Sequence, residues 1–513
     1  MAIVLGLDSS TQSLSAIVLD TEAGSILWEE TVRFGEDLPA YNAPHGFIPD
    51  SPSGQVHADP MMWLDALDLL FARIKSQGFD LQSIRAISGA GQQHGSVYLD
   101  ASFSDRLSRL EPKELLSKQL TSSLTRPTSP IWMDGTTTTA CRQIEEKLGG
   151  PLEVCRRSGS VAIRRFTGPQ IRQFYQQSPE QYQATARIHL VSSFLASVMT
   201  GSSSRIDRGD GAGMNLMNLS TGGWDADLVE ATAPDLASKL PALADSATVI
   251  GNIAPYFVNK YGFSEKCLSV LWTGDNPSSL VGMGAAQPGK VVISLGTSDT
   301  LFAALTEPLT DPNGFGHVFG NPWGEYMSLV CFRNGSLARE ALRDELSAEW
   351  SDFEAAVSRP PLAKEVMLPF VEPEITPRTD GAGLMRNSSS ELSTLERIRL
   401  LLEGQFLNMR LHSVWMQLQP DVIYVTGGAS ANQGICQVIA DVFGAPVKRL
   451  SVSGSVCLGA GMRAAEAAFD ESKQRLESLF CPTDPDSKIE PNRSLSPIYD
   501  NKLQEFAQLV RAL

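Results

Sequence analysis

The chain has 513 residues, 42% apolar and 19% charged, with 58 acidic against 42 basic side chains and a net charge of −16. That length exceeds what one hydrophobic core serves, so two large domains are expected. The negative field disfavours nucleic acid and anionic membrane as partners, so a phosphorylated ligand has to be met locally by backbone N–H groups, a metal and a few arginines. Seven scattered cysteines without a Cys-x-x-Cys pair, and six histidines without metal-ligand spacing, argue against disulfides and structural zinc. The start lacks a basic region and a cleavage site, and no apolar run reaches membrane-spanning length, so a cytoplasmic location is expected.

The stretch Ile3–Ser13, followed by the apolar run Leu14–Leu19, reads as a strand, a tight polar turn and a returning strand. Gly6 permits close approach, Asp8 offers a carboxylate, and Ser9, Ser10 and Thr11 offer hydroxyl and N–H groups, a set suited to a phosphate with a divalent metal. An ordinary hairpin with a polar turn fits the same residues. Trp28–Phe34 reads as a further strand, and 37–54 as an exposed loop. A helix follows, with Asp59 as N-cap, Pro60 at its first position, Leu64, Leu67, Leu70 and Ile74 on one face and Gly78 as its stop. The strand Ile84–Ser88 runs into a glycine-rich turn bearing Gln92, Gln93 and His94, where an α/β domain receives a polar ligand, a purely structural histidine being the alternative. Residues 100–130 are expected to form a surface insertion with a helix. Ile131–Gly135 is expected as a strand end delivering Trp132 and Asp134, and Arg164 and Arg165 precede a turn at Phe166–Gly168. Ile188–Met199 reads as a helix, Ile206–Met214 as a polar turn with Asp207 and Asp210, and the first half is expected to end near Pro255.

In the second half, the strand Leu268–Trp272 ends in a turn holding Asp275, with a helix expected over Ser279–Ala286. Val291–Ala304 then repeats the opening form, with Gly296, Thr297, Ser298 and Asp299 between two apolar runs. Two such hairpins imply a duplicated architecture whose halves face one phosphate chain. Helices are expected from Gly335 and from Ser351, and a long amphipathic one over Thr394–Leu418. Strand Val422–Val425, a Gly-Gly turn to Asn432 and helix Ile435–Phe443 form a geometry in which a helix N-terminus receives a nucleotide. Two similar patterns are rejected. Gly284–Lys290 has P-loop spacing, but Val291 and a strand follow it. The Gly459–Ala464 run sits inside a helical pattern, so close packing through small residues is expected there.

The motifs Gly-Leu-Asp-Ser-Ser-Thr, Gly-Gln-Gln-His-Gly, Trp-Met-Asp-Gly, Thr-Gly-Asp-Asn-Pro, Ser-Leu-Gly-Thr-Ser and Thr-Gly-Gly-Ala-Ser-Ala-Asn occur here in the order seen in FGGY-type carbohydrate kinases. The chain resembles that family over nearly its whole length. The resemblance implies an α/β fold of two duplicated actin-like (ribonuclease H-like) ATPase domains with a central cleft. Residues 1–255 would bind sugar and carry the first hairpin; residues 256–513 would bind ATP, carry the second hairpin and end in a helical tail. It further implies Asp275 as catalytic base beside Asn276, with His94 and Arg165 on the sugar hydroxyls. Asp8 would organise Mg²⁺, with Ser10, Thr11, Gly296 and Thr297 around the β- and γ-phosphates. Gly428, Ala429, Asn432 and Trp350 would lie against the adenosine. The implied reaction is ATP-dependent phosphorylation of a ketopentose, D-xylulose, by a monomer or homodimer. Another ketose or polyol, or an actin-like ATPase without a sugar, are the alternatives. Two departures from bacterial members, Gln170 within Pro169–Ile171 and Gln93 in place of a common Met, bear on which sugar is taken.

Overall fold

The N-terminal apolar run is dense enough in β-branched and aliphatic residues to be buried on both faces, and it forms the middle of a sheet. The computed structural model describes residues 2–381, 383–450 and 454–513. It divides into unit 1, Met1–Gly284 with Phe319–Tyr326 and Val452–Cys481, and unit 2, Ala285–Val318 with Met327–Ser451 and Pro482–Leu513. Pro255 opens a helix, Pro255–Tyr261, inside unit 1.

In unit 1, β1 (Ile3–Ser9), β2 (Ser13–Asp20) and β3 (Ser25–Arg33) form an antiparallel meander. On the other side of β1 lies β4 (Ala86–Gly91), parallel to it. The sheet is completed by β5 (Val249–Asn252) and β6 (Leu268–Val270), in the order β5-β6-β4-β1-β2-β3, while β7 (Thr273–Gly274) also pairs with β4. Helix α1 (Pro60–Ser76) is capped as its sequence predicts, with the Asp59 carboxylate accepting from Met61 N–H at 2.8 Å. Its buried residues Trp63, Leu67, Leu70 and Phe71 share a core with Leu5, Leu7 and Leu14.

The glycine-rich helix Ser455–Phe469 also packs in unit 1, at a distance only glycine permits. A Cβ on Gly6 would lie 1.9 Å from Cys457 O, and one on Gly459 1.9 Å from Ser278 O. The close approach that Gly6 allows is therefore to a helix, and the Gly459 run serves packing, as expected.

Several local expectations change. The 100–130 segment is not peripheral: Phe103, Leu107, Leu116 and Leu120 are buried in the unit 1 core. The buried Asp68 of α1 holds it, accepting from Leu116 N–H at 3.0 Å. The i, i+4 spacing of those apolar pairs was masked by intervening charges. Residues 131–135 form a turn, and only Ser129–Pro130 is a strand. Arg187–Leu190 is a strand before helix α2 (Val191–Thr200). Helix α3 (Asp275–Gly282) starts four residues earlier than expected, because Pro277 is tolerated in a first turn.

Unit 2 contains β8 (Lys290–Leu295), β9 (Asp299–Leu305), the start of β10 (His317–Gly320), β11 (Tyr326–Phe332) from Met327 onward, β12 (Val422–Thr426) and β13 (Val447–Arg449). Their order is β10-β11-β9-β8-β12-β13, with β8 and β9 antiparallel and β12 and β13 added in parallel. A hairpin with a third strand on one side and two parallel strands on the other is also the plan of unit 1, so the duplication inferred from the two hairpins extends to sheet topology. Helices α4 (Ser336–Leu346), α5 (Trp350–Val357), α6 (Thr394–Ser413) and α7 (Gln433–Phe443) belong to this unit. α6 begins at a Ser393/Glu396 capping box and ends at Ser413, short of Leu418. The C-terminal helix Ser496–Arg511 is anchored by buried Lys502, whose Nζ is 2.7 Å from Glu403 of α6.

Candidate active site

In unit 1 the polar groups gather where β1 and β4 end. Ser9 pairs with Gly91 in register, and Gln92 N–H donates to Ser9 O at 2.9 Å, so the first hairpin and the Gln92–His94 loop share one sheet edge. That edge holds buried polar atoms without a hydrogen-bond partner: Asp8 Oδ1, Ser9 Oγ, both amide atoms of Gln92, Gln93 Nε2, and Asp210 Oδ1 from a neighbouring loop. Native proteins leave few such atoms, and a group of them marks a place where a polar ligand completes the bonding.

Asp275 is the first residue of α3, where the helix dipole favours an anion. Its Oδ1 accepts from Asn276 N–H at 2.8 Å and from Asn276 Nδ2 at 3.0 Å. Burial pushes its carboxyl up to about 6, against the pull of the Asn276 and Gln93 backbone N–H groups. Asp8, on β1, is pushed up to about 8 by burial first and by the nearby Asp275 second. Among the described residues, no group of three or more His, Cys, Asp or Glu side chains could hold a metal ion. A single carboxylate with a buried, unpartnered oxygen beside a second carboxylate is nonetheless what Mg²⁺ takes when phosphate oxygens and water complete its octahedron. The residues present fit that ion.

His94 sits at φ +72°, in the left-handed region that costs a non-glycine residue energy and recurs at functional sites. Its Nδ1 is 2.8 Å from Gly213 O, and its ring stacks on Phe166 at 4.1 Å. Since a carbonyl only accepts, His94 Nδ1 carries a proton and donates it to Gly213 O. The Arg165 guanidinium lies 5.9 Å from the centre of the same Phe166 ring, so the structure brings His94 and Arg165 to one aromatic ring. Ser10 Oγ donates to Ser13 O at 3.0 Å, and Thr11 Oγ1 accepts from Trp132 Nε1 at 2.8 Å. Trp132 thus braces the hairpin tip, while buried Asp134 ties Val56 N–H and Gln170 together within its own layer.

Sequence reasoning placed Gln93 on the ligand turn and Asp210 in a polar turn, but gave neither of them, nor Phe166, a partner. Gln93 Oε1 accepts from Asn276 Nδ2 at 2.8 Å. Asp207 accepts from Gly209 and Asp210 N–H and from the Ser246 and Thr273 hydroxyls, fixing the loop that carries Asp210 and Gly213. The signal available was only that two aspartates flank Gly-rich sequence; their burial came from tertiary structure.

In unit 2 a cavity of about 680 Å³ is lined by Gly296, Thr297, Arg339, Trp350, Gly428, Ala429 and Asn432, within the size range of nucleotide and drug-sized sites. All six of the unit 2 residues expected to contact ATP line it. A Cβ on Gly428 would meet nothing within 4 Å, whereas one on Gly427 would lie 2.2 Å from Leu295 O, so the first glycine closes the turn and the second leaves room. Asn432 caps α7, accepting from Ile435 N–H at 3.0 Å, and its Nδ2 reaches Trp350 O at 3.4 Å. Gly296 N–H is committed to Asp299 Oδ1 at 3.1 Å, which leaves the exposed Thr297 and Ser298 as the donors at the turn.

Residues 118–282 match the model of the N-terminal domain of the FGGY family of carbohydrate kinases, and residues 291–468 match that of its C-terminal domain. The chain is 40% identical to the xylulose kinase of Rattus norvegicus, over 98% of this chain and 96% of the rat protein. It is 39% identical to xylulose kinase 2 of Arabidopsis thaliana, over 90% of this chain and 87% of that one. Its fold matches the crystal structure of xylulose kinase from Rhodospirillum rubrum with a TM-score of 0.81 at 20% identity, covering 100% of this chain and 99% of the other. It also matches Plasmodium falciparum glycerol kinase with ADP, with a TM-score of 0.79 at 16% identity over 100% and 98% of the two chains.

Proposed function

We infer that this chain, which belongs to the FGGY family of carbohydrate kinases, transfers the γ-phosphoryl group of ATP to a hydroxyl of an open-chain ketopentose, D-xylulose. The observation that carries the reading is the constellation at Asp275: a partly buried carboxylate on a helix N-terminus, bonded to Asn276 and flanked by the Gln93–His94 loop. The names of the rat and Arabidopsis relatives support the choice of sugar.

A sugar hydroxyl has a pKa far above 7, so Asp275 takes its proton only as the bond to phosphorus forms. With a pKa of about 6 it is ionised at neutral pH yet more basic than a free carboxylate. Asn276 holds one carboxylate oxygen and thereby orients the other. His94 and the Arg165 guanidinium hold sugar hydroxyls. In unit 2, Thr297 and Ser298 donate to phosphate oxygens, Trp350 packs on the base, and Gly428 admits the nucleoside backbone-close. Asp8 would hold Mg²⁺, which when bound supplies charge neutralisation on the phosphate oxygens.

ADP release measured over a panel of ketoses and polyols tests the reading. Strong stimulation by D-xylulose is expected. Slow hydrolysis that no sugar accelerates would replace it with an ATPase.

A further inference from the structure

We propose that Arg463 is a positioning residue for the catalytic base: its guanidinium bridges a break in the pairing of β4 with β6 and β7, and so fixes the direction in which Asp275 leaves the sheet. The proposal rests on the sugar-kinase reading above, in which Asp275 is the base.

The break is visible in the register. Leu268 and Ser269 of β6 pair with Ala86 and Ile87 of β4, and Thr273 and Gly274 of β7 pair with Ala90 and Gly91. Between these paired stretches β4 has only Ser88 and Gly89, while the opposing chain has Val270, Leu271 and Trp272. One extra residue on one strand is a β-bulge, which bends that strand and re-aims the side chains beyond it. Asp275 follows β7 directly, so the bulge sets its direction.

A bulge disrupts the ladder, and buried carbonyls there have to be bonded by other donors. Arg463 supplies them from the glycine-rich helix Ser455–Phe469. Its Nη2 donates to Gly89 O at 2.7 Å and its Nη1 to Leu271 O at 3.0 Å, so one planar group spans both sides of the break. The Ser88 hydroxyl also donates to Leu271 O, at 3.1 Å. A Cβ on Gly89 would lie 2.4 Å from Trp272 Cδ2, so the bulge turns the Trp272 ring across a position that only glycine can hold.

Arg463 is 1% exposed, and burial lowers its pKa to about 10 against the pull of Asp207. Asp207 in turn accepts from the Thr273 hydroxyl, which places the opposing charge on the strand that leads into Asp275. Close packing of the helix is supplied by its glycines, as at Gly459 against Ser278 O, and does not account for a buried cation bonded to two strands.

The test compares wild type, Arg463→Met, Arg463→Lys and Ser88→Ala at a temperature where all are folded. Arg463→Met should lower kcat for D-xylulose by about 10²-fold, as expected when a reacting group is displaced by about 1 Å. The sugar KM should change far less than kcat, and the KM for ATP should stay near wild type. Lysine keeps the charge and can reach one carbonyl, so Arg463→Lys should recover part of the loss. Ser88→Ala removes one neutral donor and should cost about threefold in kcat. The deciding measurement repeats Arg463→Met in the Asp275→Asn background, where no further turnover should be lost, because an absent base cannot be misplaced. If Arg463→Met does not fold, Arg463→Lys and Ser88→Ala carry the same comparison. An equal fold-loss in both backgrounds, or wild-type kcat in the folded variants, would overturn the proposal and leave Arg463 as a support of the core. Absence of sugar-stimulated ADP release by wild type would instead sink the kinase reading itself.

Discussion

In the first hairpin Asp8 ends a buried strand with Oδ1 unpartnered and another carboxylate nearby. In the second hairpin Asp299 is fully buried, and both of its oxygens receive the Arg339 guanidinium at 2.9 and 3.0 Å. Asp299 Oδ1 also accepts from Gly296 N–H, and Gln405 holds Arg339 from behind at 3.1 Å. Burial raises the pKa of both aspartates, but only Asp299 has a guanidinium working against the rise. Two copies of one supersecondary form thus use their carboxylates for different ends. One is left wanting a cation; the other is spent on bracing a turn. The difference teaches that a duplicated motif predicts backbone shape better than it predicts the job of its charged side chain.

The largest effect is expected where a carboxylate of unit 1 does chemistry. Asp275→Asn should retain sugar binding and lose turnover by on the order of 10³–10⁵-fold, the range seen when a base acting in the transition state is removed. Near-normal turnover would break the assignment. The pH profile gives the sign independently. Because the base must be ionised and its pKa is raised to about 6, kcat/KM should climb from acid pH, level above about 6, and fall as pH drops through that value. A profile without that acid limb would place the base elsewhere.

Next come two variants of opposite sign that test the hairpin contrast directly. Arg339→Leu strands a buried Asp299 and should destabilise by about 3–5 kcal/mol in urea unfolding. Asp8→Asn replaces a carboxyl that burial already holds largely protonated at neutral pH, and should leave magnesium-free stability unchanged or raise it by about 1 kcal/mol. The same Asp8→Asn variant should need far more Mg²⁺ for half-maximal turnover, which a titration reads. Equal destabilisation by the two substitutions would erase the distinction between a ligand-ready and a structural aspartate.

That distinction was beyond the sequence, although much else was legible in it. Hairpins, capped helices and the Gly-Gly turn leave local signals, because turn chemistry and periodicity act over a few residues. The Asp59 cap and the tight Gly459 packing are of this kind. The partner of Asp299 lies forty residues on, and the partner of Gln93 lies 183 residues on, so neither pairing has a local signature. The 100–130 segment reads as surface because its charges outnumber its anchors, yet four apolar residues are enough to bury it. The Asp275 helix was misplaced by four residues for a similar reason: a proline that usually breaks a helix here sits in its first turn.

The smallest effect should fall on Trp350, which is 43% exposed and reaches the unit 2 cavity from α5. Its ring is held by the Arg343 guanidinium at 4.8 Å and by Phe353 at 5.0 Å, so it is pre-oriented without being part of a packed core. Removing an exposed aromatic face costs stacking and little else. Trp350→Ala should therefore raise the KM for ATP by roughly three- to tenfold, equivalent to about 0.5–1.5 kcal/mol, and leave the KM for the sugar and the unfolding midpoint unmoved. Trp350→Phe should recover most of the loss, since a smaller ring keeps the stacking surface. If the sugar KM rose instead, Trp350 would have to act on the chemistry of unit 1, and the division of labour between the two hairpin-bearing units would not hold.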